Sequence, residues 1–147
     1  MRLNNWIGPY VRGQASTHLF PQEENADTVF ITSAAGIDTV DYSTHGSGVT
    51  ASLTAGTATG AGSDSFFEVE KLIGTEHDDT LTGNGVKNTL NGRGGDDTIS
   101  GQGNADTLLG GDGNDSMSGG GGNDTVRGDA GPDAATTGAG TAAAGGS

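Results

Sequence analysis

The sequence predicts an all-β chain in which a short β-rich capping segment precedes a parallel coil of stacked turns and strands. Three observations carry that expectation. From Gly74 onward the chain can be written in blocks of nine without an insertion, the stretch before it consists of short Thr-, Val- and Ser-rich runs, and no stretch reads as a helix.

Composition sets the outer limits. The chain has 147 residues, enough for one domain or two very small ones. It holds 29 glycines, 19 acidic residues against 6 Lys plus Arg, no cysteine, and 31% hydrophobic residues. Without cysteine there is no disulfide framework and no thiolate zinc site. A formal charge of -13 repels phosphate, so neither a nucleic acid nor an anionic membrane surface is expected as a partner. No stretch approaches the roughly 20 apolar residues of a membrane-spanning helix, and no membrane insertion is expected. Met1 to Ser16 carries Arg2 and Arg12 but no apolar core of signal-peptide length. Composition alone describes a flexible, self-repelling polymer. The placement of the glycines and aspartates argues otherwise.

The elements follow in order. Residues 1–21 hold Trp6, Ile7, Tyr10 and Val11 near Pro9 and Pro21 with no sustained period, an irregular leader or the remnant of a preceding domain. Residues 22–73 form the capping segment, with strand-like runs at Asp27–Thr32, Asp38–Tyr42 and Val49–Leu53. All seven aromatic residues lie within the first 67 positions, and Phe66, Phe67, Val69 and Leu72 are expected to cover the open end of the coil. Residues 74–136 are the repeat, and 137–147, built only of Gly, Ala, Thr and Ser, are expected to be a disordered tail.

The seven blocks are GTEHDDTLT, GNGVKNTLN, GRGGDDTIS, GQGNADTLL, GGDGNDSMS, GGGGNDTVR and GDAGPDAAT. Position one is always glycine. Position six is Asp79, Asp97, Asp106, Asp115, Asp124 and Asp133, with Asn88 the exception. Position eight is Leu81, Leu90, Ile99, Leu108, Met117, Val126 and finally Ala135.

These blocks resemble G-G-x-G-x-D-x-U-x, the nonapeptide of the RTX, or haemolysin-type calcium-binding, family. Gly36–Ser43 and Phe67–Gly74 are similar in style to the segment that precedes such repeats. The resemblance implies a right-handed parallel β-roll with calcium between its turns. The residue types suit that role. Glycines turn the backbone sharply so that carbonyls point inward, and the strand that follows directs its central residue into the coil. Two nonapeptides close one coil of 18 residues, so loops two blocks apart stack about 4.8 Å from each other. Calcium takes six to eight oxygen ligands at about 2.3–2.6 Å, which stacked loops of carbonyls and carboxylates can offer.

The expected calcium-binding residues are Asp79, Asp97, Asp106, Asp115, Asp124 and Asp133, with the turn glycines Gly92, Gly94, Gly101, Gly103, Gly110, Gly111, Gly113, Gly119, Gly120 and Gly122. Stacking pairs Asp79 with Asp97, Asp97 with Asp115, Asp115 with Asp133, Asn88 with Asp106, and Asp106 with Asp124, for up to five calcium ions. Thr75 and His77 stand where glycines are expected in the first block, as does Val86 beside Asn88 in the second. Pro132 and Ala135 mark a fading last block. So small an apolar column cannot order a glycine-rich chain, and disorder without calcium is expected.

No catalytic constellation appears. The histidines His18, His45 and His77 are scattered, and there is no H-E-x-x-H, nucleophile elbow, Walker A or EF-hand loop. The resemblance therefore implies a non-enzymatic, calcium-binding structural module of a secreted or cell-surface protein. Such a chain crosses a one-step secretion channel unfolded and folds outside, where calcium is plentiful. A parent catalytic or adhesive domain stays open as a partner. The alternatives are the C-terminal part of a secreted hydrolase, such as a protease or lipase, and a segment of a surface adhesin.

Overall fold

Three-residue runs around a single apolar side chain cannot stand as isolated strands, because each leaves its backbone groups unpaired. Stacking them edge to edge solves both problems at once. The computed structural model describes residues 18–19, 36–60, 62–138 and 140–143, and none of the described residues is helical. Its strands in chain order are β1 His18–Leu19, β2 Thr39–Asp41, β3 Thr50–Ser52, β4 Thr57–Thr59, β5 Ser63–Ser65, β6 Lys71–Ile73 and β7 Thr80–Thr82. There follow β8 Thr89–Gly94, β9 Thr98–Ser100, β10 Thr107–Asp112, β11 Ser116–Ser118, β12 Thr125–Ala130, β13 Ala134–Thr136 and β14 Thr141–Ala143. The expected strand run at Asp27–Thr32 lies outside the described residues.

From β6 onward alternate strands fall on opposite sheets. One sheet runs β1-β2-β6-β8-β10-β12-β14 and the other β13-β11-β9-β7-β3-β4-β5. The repeat strands pair in parallel at a fixed offset, Thr89 with Thr107 and Thr107 with Thr125 on one sheet, Thr80 with Thr98 and Thr98 with Ser116 on the other. The chain is an all-β parallel solenoid, as the period of nine requires.

Strand alternation turns one residue per strand inward. Val40, Leu72, Leu90, Leu108 and Val126 are in register down one sheet. Ala51, Leu81, Ile99 and Met117 form the facing column. All nine are buried to 2% exposure or less and belong to a single apolar cluster. Ala135, in the last block, is only partly buried against it.

The coil reaches further back than the repeat. Leu72 sits between Val40 and Leu90 in the ladder, so β2 and β3 already form a coil before the first nonapeptide. Between β3 and β6 the chain makes an antiparallel excursion, β4 and β5, which extends the second sheet. Ala58 continues the inward column, and its cross-strand neighbour is Asp64. Asp64 is buried, and the Tyr42 hydroxyl donates to its Oδ2 at 2.9 Å. Phe66 and Val69 are buried at this end, whereas Phe67, in the bend that leads to Glu68 at positive φ, is 55% exposed. Beyond the repeat, β14 pairs with β12 through Val126 and Ala142, within the segment expected to lack structure.

Candidate metal centre

The turns between strands collect on two edges. Residues 74–79, 92–97, 110–115 and 128–133 stack along one edge, and 83–88, 101–106 and 119–124 along the other. The position-six side chains sit at the base of these loops. Asp79, Asn88, Asp97, Asp106, Asp115 and Asp124 are all 3% exposed or less, while Asp133 is partly buried.

One oxygen of each carboxylate ties its coil to the coil before. The amide of Asp79 donates to Asp97 Oδ1 at 2.8 Å, that of Asp97 to Asp115 Oδ1 at 2.9 Å, and that of Asp115 to Asp133 Oδ1 at 3.0 Å. On the other edge Asn88 N–H reaches Asp106 Oδ1 at 2.8 Å, and Asp106 N–H reaches Asp124 Oδ1 at 2.9 Å. The ladder starts at Val49, whose amide donates to Asp79 Oδ1 at 2.7 Å.

The second oxygens divide the loops into two kinds. Oδ2 of Asp97, Asp106, Asp115 and Asp124 is buried with no hydrogen-bond partner. A buried carboxylate oxygen left in this way costs heavily unless positive charge meets it. Each lies close to the position-one glycine of its own block: a methyl group added at Gly92, Gly101, Gly110 or Gly119 would collide with the carboxylate of Asp97, Asp106, Asp115 or Asp124 respectively. At Gly92, Gly101 and Gly110 the same methyl would also crowd the carbonyl oxygen of Gly110, Gly119 or Gly128 one coil on, at 2.8, 2.7 and 2.9 Å. Carboxylate and carbonyl oxygens from successive loops therefore converge on one small space.

Backbone conformation follows the same division. In these loops positions two and four both take positive φ: Arg93 and Gly95, Gln102 and Asn104, Gly111 and Gly113, Gly120 and Gly122, and Asp129 and Gly131. Thr75, His77, Asn84 and Val86, at the same positions of the first two blocks, are not among the positive-φ residues. There the position-two amide turns onto the position-six side chain instead, Thr75 N–H to Asp79 Oδ2 at 2.6 Å and Asn84 N–H to Asn88 Oδ1 at 2.7 Å. Among the glycines singled out from the sequence, Gly94 and Gly103 occupy position three and do not take positive φ. The turning residues that pattern reading missed are Arg93, Gly95, Gln102, Asn104, Asp129 and Gly131; Gly95 and Gly131 stand at position four, where the repeat expects glycine, while the other four carry side chains.

Burial governs ionisation here. It pushes the Asp97 carboxyl up to about 8 and that of Asp106 up to about 6, and it raises Asp79 and Asp115, in each case against hydrogen bonds from backbone amides that pull the other way. The Asp79 and Asp115 charges add to the rise at Asp97. The coil thus asks several buried carboxylates to ionise close together.

The buried, unpartnered oxygens suit a cation. Among the described residues no three His, Cys, Asp or Glu side chains cluster, so any ion would be held by carboxylates together with backbone carbonyls. That all-oxygen donor set is the chemistry of a hard divalent ion and suits calcium; imidazole and thiolate sites select other metals. The residues present fit calcium.

Comparison with known proteins agrees with this chemistry. The family model described as RTX calcium-binding nonapeptide repeat (4 copies) matches residues 73–108 and 100–135. No curated protein matches the chain. Over residues 73–135, under half of its length, the chain is similar to the RTX calcium-binding nonapeptide repeat family.

Proposed function

We propose that the chain is the calcium-dependent structural module of a secreted or cell-surface protein, ordered by calcium outside the cell and without catalysis of its own. The observation that carries this reading is the set of four buried carboxylate oxygens, on Asp97, Asp106, Asp115 and Asp124, that have no hydrogen-bond partner. These residues and Asp133 supply the carboxylates, and the turns at Gly92, Gly101, Gly110 and Gly119 leave room for ligand oxygens to converge. When bound, calcium supplies the positive charge that lets adjacent carboxylates remain ionised in a buried site. The protein's part is to hold the oxygens. Each Oδ1 is fixed by an amide of the preceding coil, which orients Oδ2 toward the space under the turn.

Calcium concentration then acts as the folding signal. In a calcium-poor compartment the carboxylates repel, the net charge of -13 expands the chain, and glycine favours disorder. Where calcium is plentiful, binding adds its free energy to folding. Far-ultraviolet circular dichroism of the full chain in excess chelator and in millimolar calcium tests the reading. The β signal is expected only with calcium; equal spectra in both would overturn it.

A further inference from the structure

The seven nonapeptides do not form equivalent loops, and the difference bears directly on where ions bind. We infer that the first two blocks are ion-free, locked by their own side chains, and that the roll holds three calcium ions, each between two adjacent open loops. This rests on the calcium-binding reading above and assigns its sites.

The first loop satisfies its carboxylate from within. Asp79 Oδ2 accepts from the Thr75 amide at 2.6 Å, and Asp79 Oδ1 accepts from the Thr75 hydroxyl at 3.0 Å and from the Val49 amide at 2.7 Å. The hydroxyl oxygen of Thr75 in turn accepts from His77 N–H at 3.0 Å, and Thr75 is fully buried. The second loop uses the same device with different residues. Val86 N–H donates to Asn84 Oδ1 at 3.1 Å while the Asn84 amide closes onto Asn88. Asn88 also turns a buried, unpartnered amide nitrogen toward the interior, a donor where an ion needs an acceptor. Side-chain-to-backbone turns of this kind hold position four without positive φ, which is why His77 and Val86 are accommodated there.

The five later loops do the reverse. They leave the carboxylate oxygen unpaired in four cases and place Arg93, Gln102, Asn104 and Asp129 at positive φ, a conformation side chains rarely adopt. Both features are unfavourable in the bare chain and both are relieved by a ligand under the turn. A complete site needs facing oxygens from two such loops. Loops 92–97, 110–115 and 128–133 enclose two intervals on one edge, and loops 101–106 and 119–124 enclose one on the other. The unpartnered carboxylate oxygens of Asp97 and Asp115 on one edge, and of Asp106 and Asp124 on the other, belong to these loops, whereas the crowding at the position-one glycine is shared by Gly74 and Gly83 and does not separate the two kinds.

Calorimetric titration of the full chain, with calcium counted independently after equilibrium dialysis, reads the stoichiometry. Three ions per chain are expected. Asp79→Asn is expected to keep three, Asp97→Asn to keep two, and Asp115→Asn, which faces two intervals, to keep one. Restoring glycines in the first loop with Thr75→Gly and His77→Gly together is expected to open it and raise the count to four. A wild-type count other than three, or loss of an ion in Asp79→Asn, overturns the assignment, and the wild-type count does so without dependence on any variant folding. Five ions would overturn it while leaving the calcium-binding reading intact. No calcium uptake at all would remove that reading as well.

Discussion

Leu90 occupies the middle of the inward column, buried between Leu72 and Leu108. Leu90→Ala should cost about 2–5 kcal/mol, because parallel backbone ladders on both sides prevent the cavity from collapsing. Phe67, larger but 55% exposed, is the control: Phe67→Ala should change stability by no more than about 0.5 kcal/mol. Urea unfolding of both variants in saturating calcium checks the pair; equal losses would refute the placement of the core. Asp97 carries a different expectation. Its folded-state pKa of about 8 lies above the ordinary carboxylate value, so between the two the folded, metal-free chain binds more protons than the unfolded one. Stability from this group is therefore complete below the ordinary value and is lost as pH rises through about 8. In chelator, β structure measured by circular dichroism should increase as pH falls from about 8 toward 5, and a signal that fell instead would reverse the sign assigned here. At this scale the repeat positions were legible in the sequence: a fixed glycine, a fixed acid and a fixed apolar residue report the turn, the loop base and the inward column. Less legible was which turn residues take positive φ, since Arg93 and Gln102 give no compositional sign of it.

Among the elements, the β4–β5 hairpin is the departure that the period could not reveal. It inserts between β3 and β6 in a region without the repeat glycines, so β2 pairs with β6 over an irregular spacing. The runs Asp38–Tyr42 and Val49–Leu53 were readable as strands from their Thr, Val and Ser content, but their membership of the same coil as the repeat was not. That membership is a long-range pairing, Val40 with Leu72 and Ala51 with Leu81, and local pattern carries no record of it. The hairpin's buried acid is held by Tyr42, whose own hydroxyl is pushed upward in pKa by burial and then by the Asp64 charge. Tyr42→Phe removes that donor and should cost roughly 1–3 kcal/mol, seen as a lower unfolding midpoint in calcium, with calcium uptake unchanged. A change in the number of ions bound would place Tyr42 in the ion sites and contradict the division between cap and roll.

For the whole molecule, the two ends differ. At the start, β2 to β7 bring the aromatic Tyr42 and Phe66, the hairpin, and an Asp79 satisfied by protein donors. Toward the finish the inward column thins from Leu108 and Val126 to Ala135. Stability should therefore fall along the axis, with the last coils depending most on calcium. The amide-to-carboxylate ladder has a mechanical corollary. Every rung within the repeat spans 18 residues and points the same way along the axis, so a pull on the C-terminal end loads one coil's rungs at a time. Releasing one coil frees 18 residues, roughly 60 Å of extended chain, while the stack shortens by only about 4.8 Å. Under load the roll thus lengthens by whole turns, holding its remaining coils intact while it yields.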